Sequence, residues 1–249
     1  SSGIGREFAR QLSERASTLV LVARRAERLE ELRDELIARD PKLAIHLQVA
    51  DLTAPDAIET LAHALEEKQL AIDLLINNAG VGDHGHFASS KSARVEAMID
   101  LNIAALTKLT HHFLPAMIAR RRGAILNVSS CASFMPMPRM AVYAATKAYV
   151  TSFSEALHLE VRSAGVSVSA LCPGPVHTEF NEIAQRSREH GKLGPGFTYV
   201  AAEEVARLGL AGIARNQATV IPGLVMKLAM LLVRLTPRPL LRLALRAGA

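Results

Sequence analysis

The segment TLVLVARRAERLEELRDELIARDPKLAIHLQVA, residues 18–50, contains a strand, a helix and a second strand by its pattern. Two short apolar runs, Thr18–Ala23 and Ala44–Ala50, enclose Ala26–Ala38, where apolar residues recur at helical spacing. Short apolar runs predict buried strands, and a period of 3.6 residues predicts an amphipathic helix. Two such strands joined by a helix are typical of a parallel sheet.

The same alternation continues along the chain. Further strands are predicted at Ile72–Asn77, Ala124–Ser129 and Val166–Cys172. Further helices are predicted at Gly3–Ala16, Ala54–Lys68, Ala93–Arg121 with an interruption at Pro115, and Val142–Ser163. The pattern predicts the α/β class, with a doubly wound, Rossmann-type parallel sheet flanked by helices. Because no composition break marks a linker, we expect one domain over residues 1–222 and a tail over residues 223–249.

Composition narrows the classes of function. The 249 residues are 49% hydrophobic and 21% charged, with a net charge of +5. This charge falls short of a dedicated nucleic-acid surface, so we expect no nucleic-acid partner. The two cysteines, Cys131 and Cys172, provide neither a disulfide framework nor a zinc cluster, and they suit a reducing compartment. No apolar run reaches about 18 residues, so we predict no membrane-spanning helix and a cytoplasmic location.

A glycine-rich turn opens the chain and runs into the first predicted helix. In a doubly wound sheet, the glycines of Ser2-Gly3-Ile4-Gly5 would let backbone N–H groups approach a phosphate at the helix N-terminus. The alternative is an ordinary turn.

Arg24 and Arg25 end the next strand, where dinucleotide folds contact the adenosine ribose. Arginine suits a 2'-phosphate, so the sequence favours NADP(H) over NAD(H). The alternative is a pair of solvated arginines at a helix start.

Two more strand ends carry candidate cofactor contacts. Asp51 and Leu52 follow the strand Ala44–Ala50, at the edge where an adenine ring would lie, and the alternative for Asp51 is the N-cap region of the next helix. Asn77-Asn78-Ala79-Gly80 follows the strand Ile72–Asn77, where small residues permit close approach of a cofactor. By itself this tetrapeptide indicates only a turn.

The candidate chemistry lies in Tyr143-Ala144-Ala145-Thr146-Lys147. The i to i+4 spacing puts the phenol of Tyr143 and the ammonium of Lys147 on one helix face. A nearby cation favours the phenolate, so we expect Lys147 to lower the pKa of Tyr143 and fit it for general acid/base work. Ser130 ends a strand at the ligand-binding edge, where its hydroxyl would polarise a carbonyl. Without further context each feature is also compatible with an ordinary helix or loop.

Together, the glycine turn, NNAG, Ser130, YxxxK and Pro173-Gly174 resemble the classical short-chain dehydrogenases/reductases. The resemblance implies that Tyr143 donates the proton in carbonyl reduction, Ser130 orients the carbonyl and Lys147 also binds the nicotinamide ribose. It adds Asn102 as a fourth catalytic residue that holds a water in a proton relay. It implies cofactor contacts along the whole cleft: Ser2, Gly3, Ile4, Gly5, Arg24, Arg25, Asp51, Leu52, Asn78, Ala79, Gly80, Tyr143, Lys147, Pro173, Gly174, Val176 and Thr178.

The resemblance also carries two expectations about the whole protein. The family has a first strand and a Thr-Gly-Ala turn ahead of the position of Ser1, so we expect an N-terminally incomplete sequence with about five to fifteen further residues upstream. Paired long helices in the family imply a homodimer or homotetramer.

The loops of the predicted substrate side, residues 81–91, 131–142 and 175–198, are rich in Met and Phe. They contain Phe87, Phe134, Met135, Met137, Met140, Phe180 and Phe197. Such an apolar, adaptable lining predicts a hydrophobic ketone or secondary alcohol as substrate. His84, His86 and His177 lie in the same loops, yet no carboxylate or cysteine is spaced with them as a ligand set, so we predict no metal.

The tail combines leucines with Lys227, Arg234, Arg238, Arg242 and Arg246, and prolines at 237 and 239 divide it. A lid or subunit contact is favoured, and contact with an anionic membrane surface is the alternative. A catalytically idle binding or scaffold protein of the same fold remains the alternative to an enzyme.

Overall fold

The computed structural model describes residues 2–185 and 196–246, in which strands and helices alternate. The strands are β1 (Thr18–Ala23), β2 (Ala44–Val49), β3 (Leu74–Asn77), β4 (Gly123–Val128), β5 (Val166–Leu171) and β6 (Thr219–Val220). Every pairing between them is parallel. Parallel strands need helical crossovers, and these cover the sheets on their faces. The predicted α/β class and single domain are confirmed.

Ten α-helices occur in the described residues. They are α1 (Gly3–Leu12), α2 (Ala26–Arg39), α3 (Ala57–Glu67), α4 (Ser92–Ile99), α5 (Leu106–Ala119), α6 (Ala141–Val161), α7 (Glu179–Ala184), α8 (Ala202–Ala214), α9 (Leu224–Leu235) and α10 (Arg238–Arg246). The interruption predicted at Pro115 is wrong. α5 runs through this proline, and the change of geometry lies earlier, in a π-helical turn over Asp100–Ala105. One proline removes a single ladder bond, and the burial of Leu109 before it and of Met117 after it holds the helix together.

The predicted single sheet is divided into two. β1 pairs with β2, and a second sheet has the order β3-β4-β5-β6. Val20 and Val22 of β1 pack in one apolar cluster with Leu75 of β3, so the two sheets still share a core. The strands β1 and β3 line one cavity between them instead of forming a ladder.

Strand β4 carries the core on both of its faces. Leu126 packs in a cluster with Phe8 of α1 and Val205 of α8. Its neighbour Ile125 packs in a different cluster with Met117 of α5. Successive side chains of a strand point to opposite faces, so one apolar run supplies both layers of the core. The strand's carboxyl end is thereby fixed, with Ser129 and Ser130 directly after it.

The tail forms two helices, and the break between them falls at the predicted prolines, Pro237 and Pro239. On one side α9 buries Met226 and Met230 against Cys131, Phe134 and Met135, beside the carboxyl end of β4. Among the helices of residues 2–185 and 196–246, none combines the length and apolar character needed to cross a bilayer.

Candidate active site

The carboxyl ends of the strands open into a cavity of about 1150 Å³, which continues into the space between β1 and β3. Except for Asn102, every catalytic and cofactor-binding residue predicted from the sequence lies on its wall. They are Ser2, Gly3, Ile4, Gly5, Arg24, Arg25, Asp51, Leu52, Asn78, Ala79, Gly80, Ser130, Tyr143, Lys147, Pro173, Gly174, Val176 and Thr178. The parallel topology brings these distant segments together because it gathers the ends of the strands at one edge.

Tyr143 lies in the first turn of α6, with 8% of its surface exposed. The Ser130 hydroxyl is within hydrogen-bonding reach of its phenol. Ser130 itself is held by its loop, because its Oγ accepts a hydrogen bond from the backbone N–H of Ala132 at 3.1 Å. Burial raises the pKa of Tyr143 to about 12, and the hydrogen bond to Ser130 only partly opposes this rise. The phenol is therefore protonated at neutral pH in this structure.

Lys147 follows one helical turn later and is 4% exposed. Its Nζ donates a hydrogen bond to the carbonyl oxygen of Val128 at 2.8 Å and lies 5.8 Å from the centroid of the Tyr143 ring. Burial lowers the pKa of Lys147 to about 8. The predicted lowering of the Tyr143 pKa by Lys147 is wrong for this structure, because burial of the phenol raises the pKa and Lys147 is not among the groups that shift it.

Asn102 lies in the π-helical turn between α4 and α5 and is almost fully buried. Its amide clamps Val81, accepting from the backbone N–H and donating to the carbonyl, both at 2.9 Å, and it also donates to Thr146 Oγ1 at 3.0 Å. A Cβ on Gly80 would lie 3.2 Å from Asn102 Oδ1 and 3.4 Å from Lys147 Nζ. Asn102 therefore fixes the loop after β3 beside Lys147. The water relay implied by the resemblance stays a prediction.

Ser129 and Asn127 also contribute to the site, although sequence reasoning passed over both. Ser129 Oγ donates to the carbonyl oxygen of Lys147 at 2.9 Å and contacts Thr151 Oγ1 at 2.7 Å. Asn127 Nδ2 donates to Ser154 Oγ at 2.9 Å. These bonds attach the catalytic helix to β4. A signal was present in the sequence, because Lys147, Thr151 and Ser154 are polar residues at the i, i+4 and i+7 positions of one face.

Asn77, the first asparagine of NNAG, joins the same buried network at the border of the cavity. Its Nδ2 donates to Asn127 Oδ1 at 2.8 Å and to Thr110 Oγ1 at 3.1 Å. Asn78, by contrast, turns toward the glycine-rich segment. A Cβ on Gly5 would lie 2.6 Å from Asn78 Nδ2. The two adjacent asparagines therefore serve different parts of the structure.

The glycine turn fits a dinucleotide. Gly3 has a φ of 53°, and a Cβ there would meet Thr178 Cγ2 at 3.0 Å. Only glycine adopts this left-handed conformation readily, so the turn keeps backbone N–H groups at the cavity surface. The turn begins α1, and the segment carrying Thr178 crosses over it. The same segment is held by Val176, which forms an isolated parallel bridge with Val200.

Both predicted ribose-end arginines lie at the cavity in exposed ion pairs. Arg24 Nη1 is 3.9 Å from Asp51 Oδ2. Arg25 Nη1 is 3.3 Å from Glu179 Oε2, and its Nη2 donates to Ser2 Oγ at 3.3 Å. Glu179 is the first residue of α7 and directly follows Thr178.

Asp51 holds its own turn. Its Oδ1 accepts from Thr53 Oγ1 at 2.7 Å and from the Thr53 backbone N–H at 3.0 Å, and these bonds, with Arg24, lower the pKa of Asp51. The alternative of a helix N-cap is wrong, because α3 begins later, at Ala57.

The remaining wall of the cavity is apolar. Met135, Met137, Met140 and Phe180 line it, and the ring of Phe180 lies 5.4 Å from that of Tyr143 between centroids. Two predicted lining residues are elsewhere: Phe87 is 63% exposed, and Phe134 packs under α9. Phe87 lies away from the cavity because it belongs to a short turn at the surface. The side chain of Phe197 and residues 186–195 of the same loop lie outside the described residues.

The comparisons with known proteins agree with this geometry. The family model for short chain dehydrogenase matches residues 1–189. The chain belongs to the short-chain dehydrogenase family. It is 35% identical over 210 residues to a sulfoacetaldehyde reductase of Chromohalobacter salexigens, across 83% of this chain and 82% of the relative. The chain spans only 64% and 59% of the length of two other curated relatives that it matches.

Solved structures of the family share the architecture. A short-chain dehydrogenase from Sphingobium yanoikuyae in complex with NADPH is 31% identical, with a TM-score of 0.79, over 92% of this chain and 88% of that one. A short-chain dehydrogenase/reductase from Burkholderia phymatum in complex with NAD is 26% identical, with a TM-score of 0.79, over 93% and 89%. The family assigns the chain to the oxidoreductases that act on CH–OH or carbonyl groups with a nicotinamide cofactor.

Proposed function

We propose that the protein is an NADP(H)-dependent oxidoreductase that interconverts a hydrophobic ketone and a secondary alcohol. The observation that carries this proposal is the convergence of Tyr143, Ser130 and Lys147 on one cavity with a Met- and Phe-lined wall. A catalytically idle scaffold protein would need none of these polar groups buried at a cavity, because burying an amine and a phenol disfavours their charged forms.

The cofactor would lie along the cleft from Arg24 and Arg25, past the glycine turn and Asn78–Gly80, to Lys147 and Thr178. When bound, the nicotinamide supplies or accepts a hydride. Pro173 and Gly174 line this path, and α9 packs close to it, because a Cβ on Gly174 would lie 2.9 Å from Met226 Cγ. A side chain at position 174 would therefore collide with α9, which packs beside the cleft.

Tyr143 moves the proton. Because its pKa is raised to about 12, the phenol is protonated at neutral pH and can donate to a carbonyl oxygen in reduction. Ser130, beside it, donates a second hydrogen bond to the same oxygen and so fixes its position. The ammonium of Lys147 stabilises the phenolate left behind. In alcohol oxidation the same groups act in reverse, with Tyr143 as the base.

The activity test uses the full chain, NADPH and a panel of ketones that runs from bulky and apolar to small and anionic. We expect Tyr143→Phe to lower kcat by about 10² to 10⁴ with NADPH binding retained. Tyr149→Phe is the matched control, because this tyrosine is 37% exposed on the same helix and should leave turnover unchanged. Near-normal turnover of Tyr143→Phe contradicts the mechanism. Turnover of only the small anionic carbonyls contradicts the substrate class.

The preference for NADP(H) rests on two guanidinium groups at the ribose end of the cleft. A 2'-phosphate would compete with Glu179 for Arg25 and with Asp51 for Arg24, since arginine binds phosphate through charge-assisted bonds. Titration of nicotinamide fluorescence should show tighter NADPH than NADH binding. Arg25→Gln should weaken NADPH binding about tenfold and leave NADH binding unchanged. Arg28→Gln is the control, because Arg28 also forms an ion pair with Glu179 but does not line the cavity. Equal losses for both cofactors would reject the preference.

We also propose that residues 1–222 form the catalytic unit. The homodimer or homotetramer stays a prediction, which light scattering of the purified chain would test.

A further inference from the structure

Helix α9 presents large apolar side chains to solvent. Leu224 and Leu235, at its two ends, are each 73% exposed, and Leu228 and Leu232 are 58% and 68% exposed. Val225 and Leu231 are exposed as well. Removing such side chains from water is worth about 1.5 to 3 kcal/mol each, so this arrangement is unfavourable in water alone.

These exposed side chains form one continuous stripe. With about 100° between successive residues of an α-helix, residues 224, 225, 228, 231, 232 and 235 fall within an arc of about 120°. The buried residues Met226 and Met230 lie on the opposite side and pack against Cys131. Since the inner side anchors the helix to the protein, the stripe is held facing outward.

Helix α10 follows beyond Pro237 and exposes leucines as well. Leu240 is 58% exposed and Leu243 is 63% exposed. We name the eight exposed residues of both helices the C-terminal apolar face: Leu224, Val225, Leu228, Leu231, Leu232, Leu235, Leu240 and Leu243. Contiguous patches of this kind mark sites of interaction.

The charges around this face have a single sign. Lys227, Arg238 and Arg242 are exposed on the two helices, and residues 205–249 contain no Asp or Glu. Lys227 lies at one edge of the stripe, about 40° beyond its last leucine. Arg234, at the same edge, is directed inward to Glu155 at 3.5 Å and to the ring of Phe134. Within residues 2–185 and 196–246, Lys227, Arg238 and Arg242 form no ion pair.

We propose that the C-terminal apolar face docks on an anionic lipid bilayer, with α9 and α10 lying in the plane of the interface. Leucines on one side, with cations at their edge or on the opposite polar face, are the pattern of interfacial helices, in which leucines enter the acyl boundary and cations contact anionic headgroups. The helices are too short to span the bilayer, so the contact is peripheral.

A second copy of the chain is a poorer occupant of this face. A two-fold contact places the same patch on both partners, so the cations of each copy would meet those of the other. No carboxylate in either helix is available to compensate, and like charges brought together across an interface are costly. A bilayer with anionic headgroups supplies the missing negative charge.

Docking would also place the catalytic cavity beside the bilayer. Met226, on the inner side of α9, lines the cavity that the outer side would bring to the lipid. This consequence rests on the proposed function, and it suits an apolar substrate that partitions into the membrane. The docking itself requires no activity.

Vesicle sedimentation of the full chain tests the docking. The probes are phosphatidylcholine vesicles with and without about one-third phosphatidylserine. We expect binding to the anionic vesicles that weakens at high salt. Leu228→Gln with Leu232→Gln should lower the partition coefficient at least tenfold. Lys227→Gln, Arg238→Gln and Arg242→Gln together should lower it about 100-fold, at about fivefold per cation. Leu159→Gln is the control, because this leucine of α6 is 74% exposed outside the face.

Each other outcome overturns the proposal. Failure of the wild-type chain to bind anionic vesicles removes it. Binding that the leucine pair leaves unchanged shows electrostatic adsorption without an apolar contact. Self-association that only the leucine pair abolishes, without vesicle binding, makes a second copy the occupant. NADPH titration of the same variants reports on the fold and the cofactor site, so a failed cofactor site is distinguished from a failed docking surface.

Discussion

Replacing Lys147 with methionine removes a buried ammonium, and we expect the change to alter how stability depends on pH. Burial lowers the pKa of Lys147 from 10.5 to about 8. Between these two values the unfolded chain binds the proton and the folded chain does not. The free energy of unfolding of the wild-type chain should therefore rise with pH through this window, relative to the variant.

The magnitude follows from the size of the shift. Lowering the pKa of Lys147 from 10.5 to about 8 corresponds to an upper limit of about 3 kcal/mol, gained at no more than about 1.4 kcal/mol per pH unit. Methionine also leaves the carbonyl oxygen of Val128 without the hydrogen bond from Nζ, which costs about 1 to 3 kcal/mol at every pH. The slope with pH is thus a cleaner measure than the difference at a single pH.

Urea unfolding followed by circular dichroism, between about pH 7 and pH 10.5, measures this slope for both chains. Lys108→Met is the matched control, because Lys108 is an exposed lysine of the neighbouring helix α5. We expect the stability difference between wild type and Lys147→Met to change with pH, and the difference for Lys108→Met to stay constant. A constant difference for both variants would refute the reasoning that the buried amine sheds its proton near pH 8.

Three further changes test other parts of the structure. Glu35→Gln should lower stability by about 1 kcal/mol at neutral pH, because Arg10 at 2.7 Å lowers the pKa of Glu35 to about 2 and solvent screens this partly exposed pair. In an acid titration of both chains, this difference should shrink as the pH falls below 4.5 and vanish only below the folded-state pKa. Gly165→Ala should destabilise the fold by about 2 to 4 kcal/mol, since φ of Gly165 is 73° and a Cβ would lie 2.6 Å from the carbonyl oxygen of Arg121. Urea unfolding of this variant should show an unchanged m value and a lower midpoint. Gly5→Ala should weaken NADPH binding more than it lowers stability, because its Cβ would crowd the cleft wall; equal NADPH affinity in a fluorescence titration would contradict this.

Much of the fold was predictable because its signals are local. The strand Thr18–Ala23 has the predicted bounds, and the helix predicted at Ala26–Ala38 ends within one residue of α2. A buried strand in a parallel sheet must be apolar throughout, so the run itself marks the strand. The short strand β6 and the helices α7 and α8 were not predicted. Two residues of strand and the six residues of α7 carry too little pattern to recognise. Helix α8 does bury Val205, Gly209 and Gly212 at helical spacing, and sequence reasoning passed over this signal.

The residues of the site also differ in how well the sequence predicts them. Tyr143, Lys147 and Ser130 were recognisable because their spacing and their position after a strand are visible in the chain. Asn102 was visible only through the family resemblance, since an asparagine within a helical stretch has no distinguishing pattern. Its role depends on a π-helical turn and on Val81, which is 21 residues away in sequence.

By itself the sequence determined the α/β class, the alternation of strands and helices, and the chemical types gathered at the strand ends. These follow from side-chain periodicity, which is a property of neighbouring residues. Only the tertiary structure decided the electrostatics of Tyr143 and Lys147, whose pKa shifts come from burial and not from their mutual spacing. It also decided which side of α9 meets the protein, because Met226 and Leu228 are equally apolar in sequence and differ only in what packs against them.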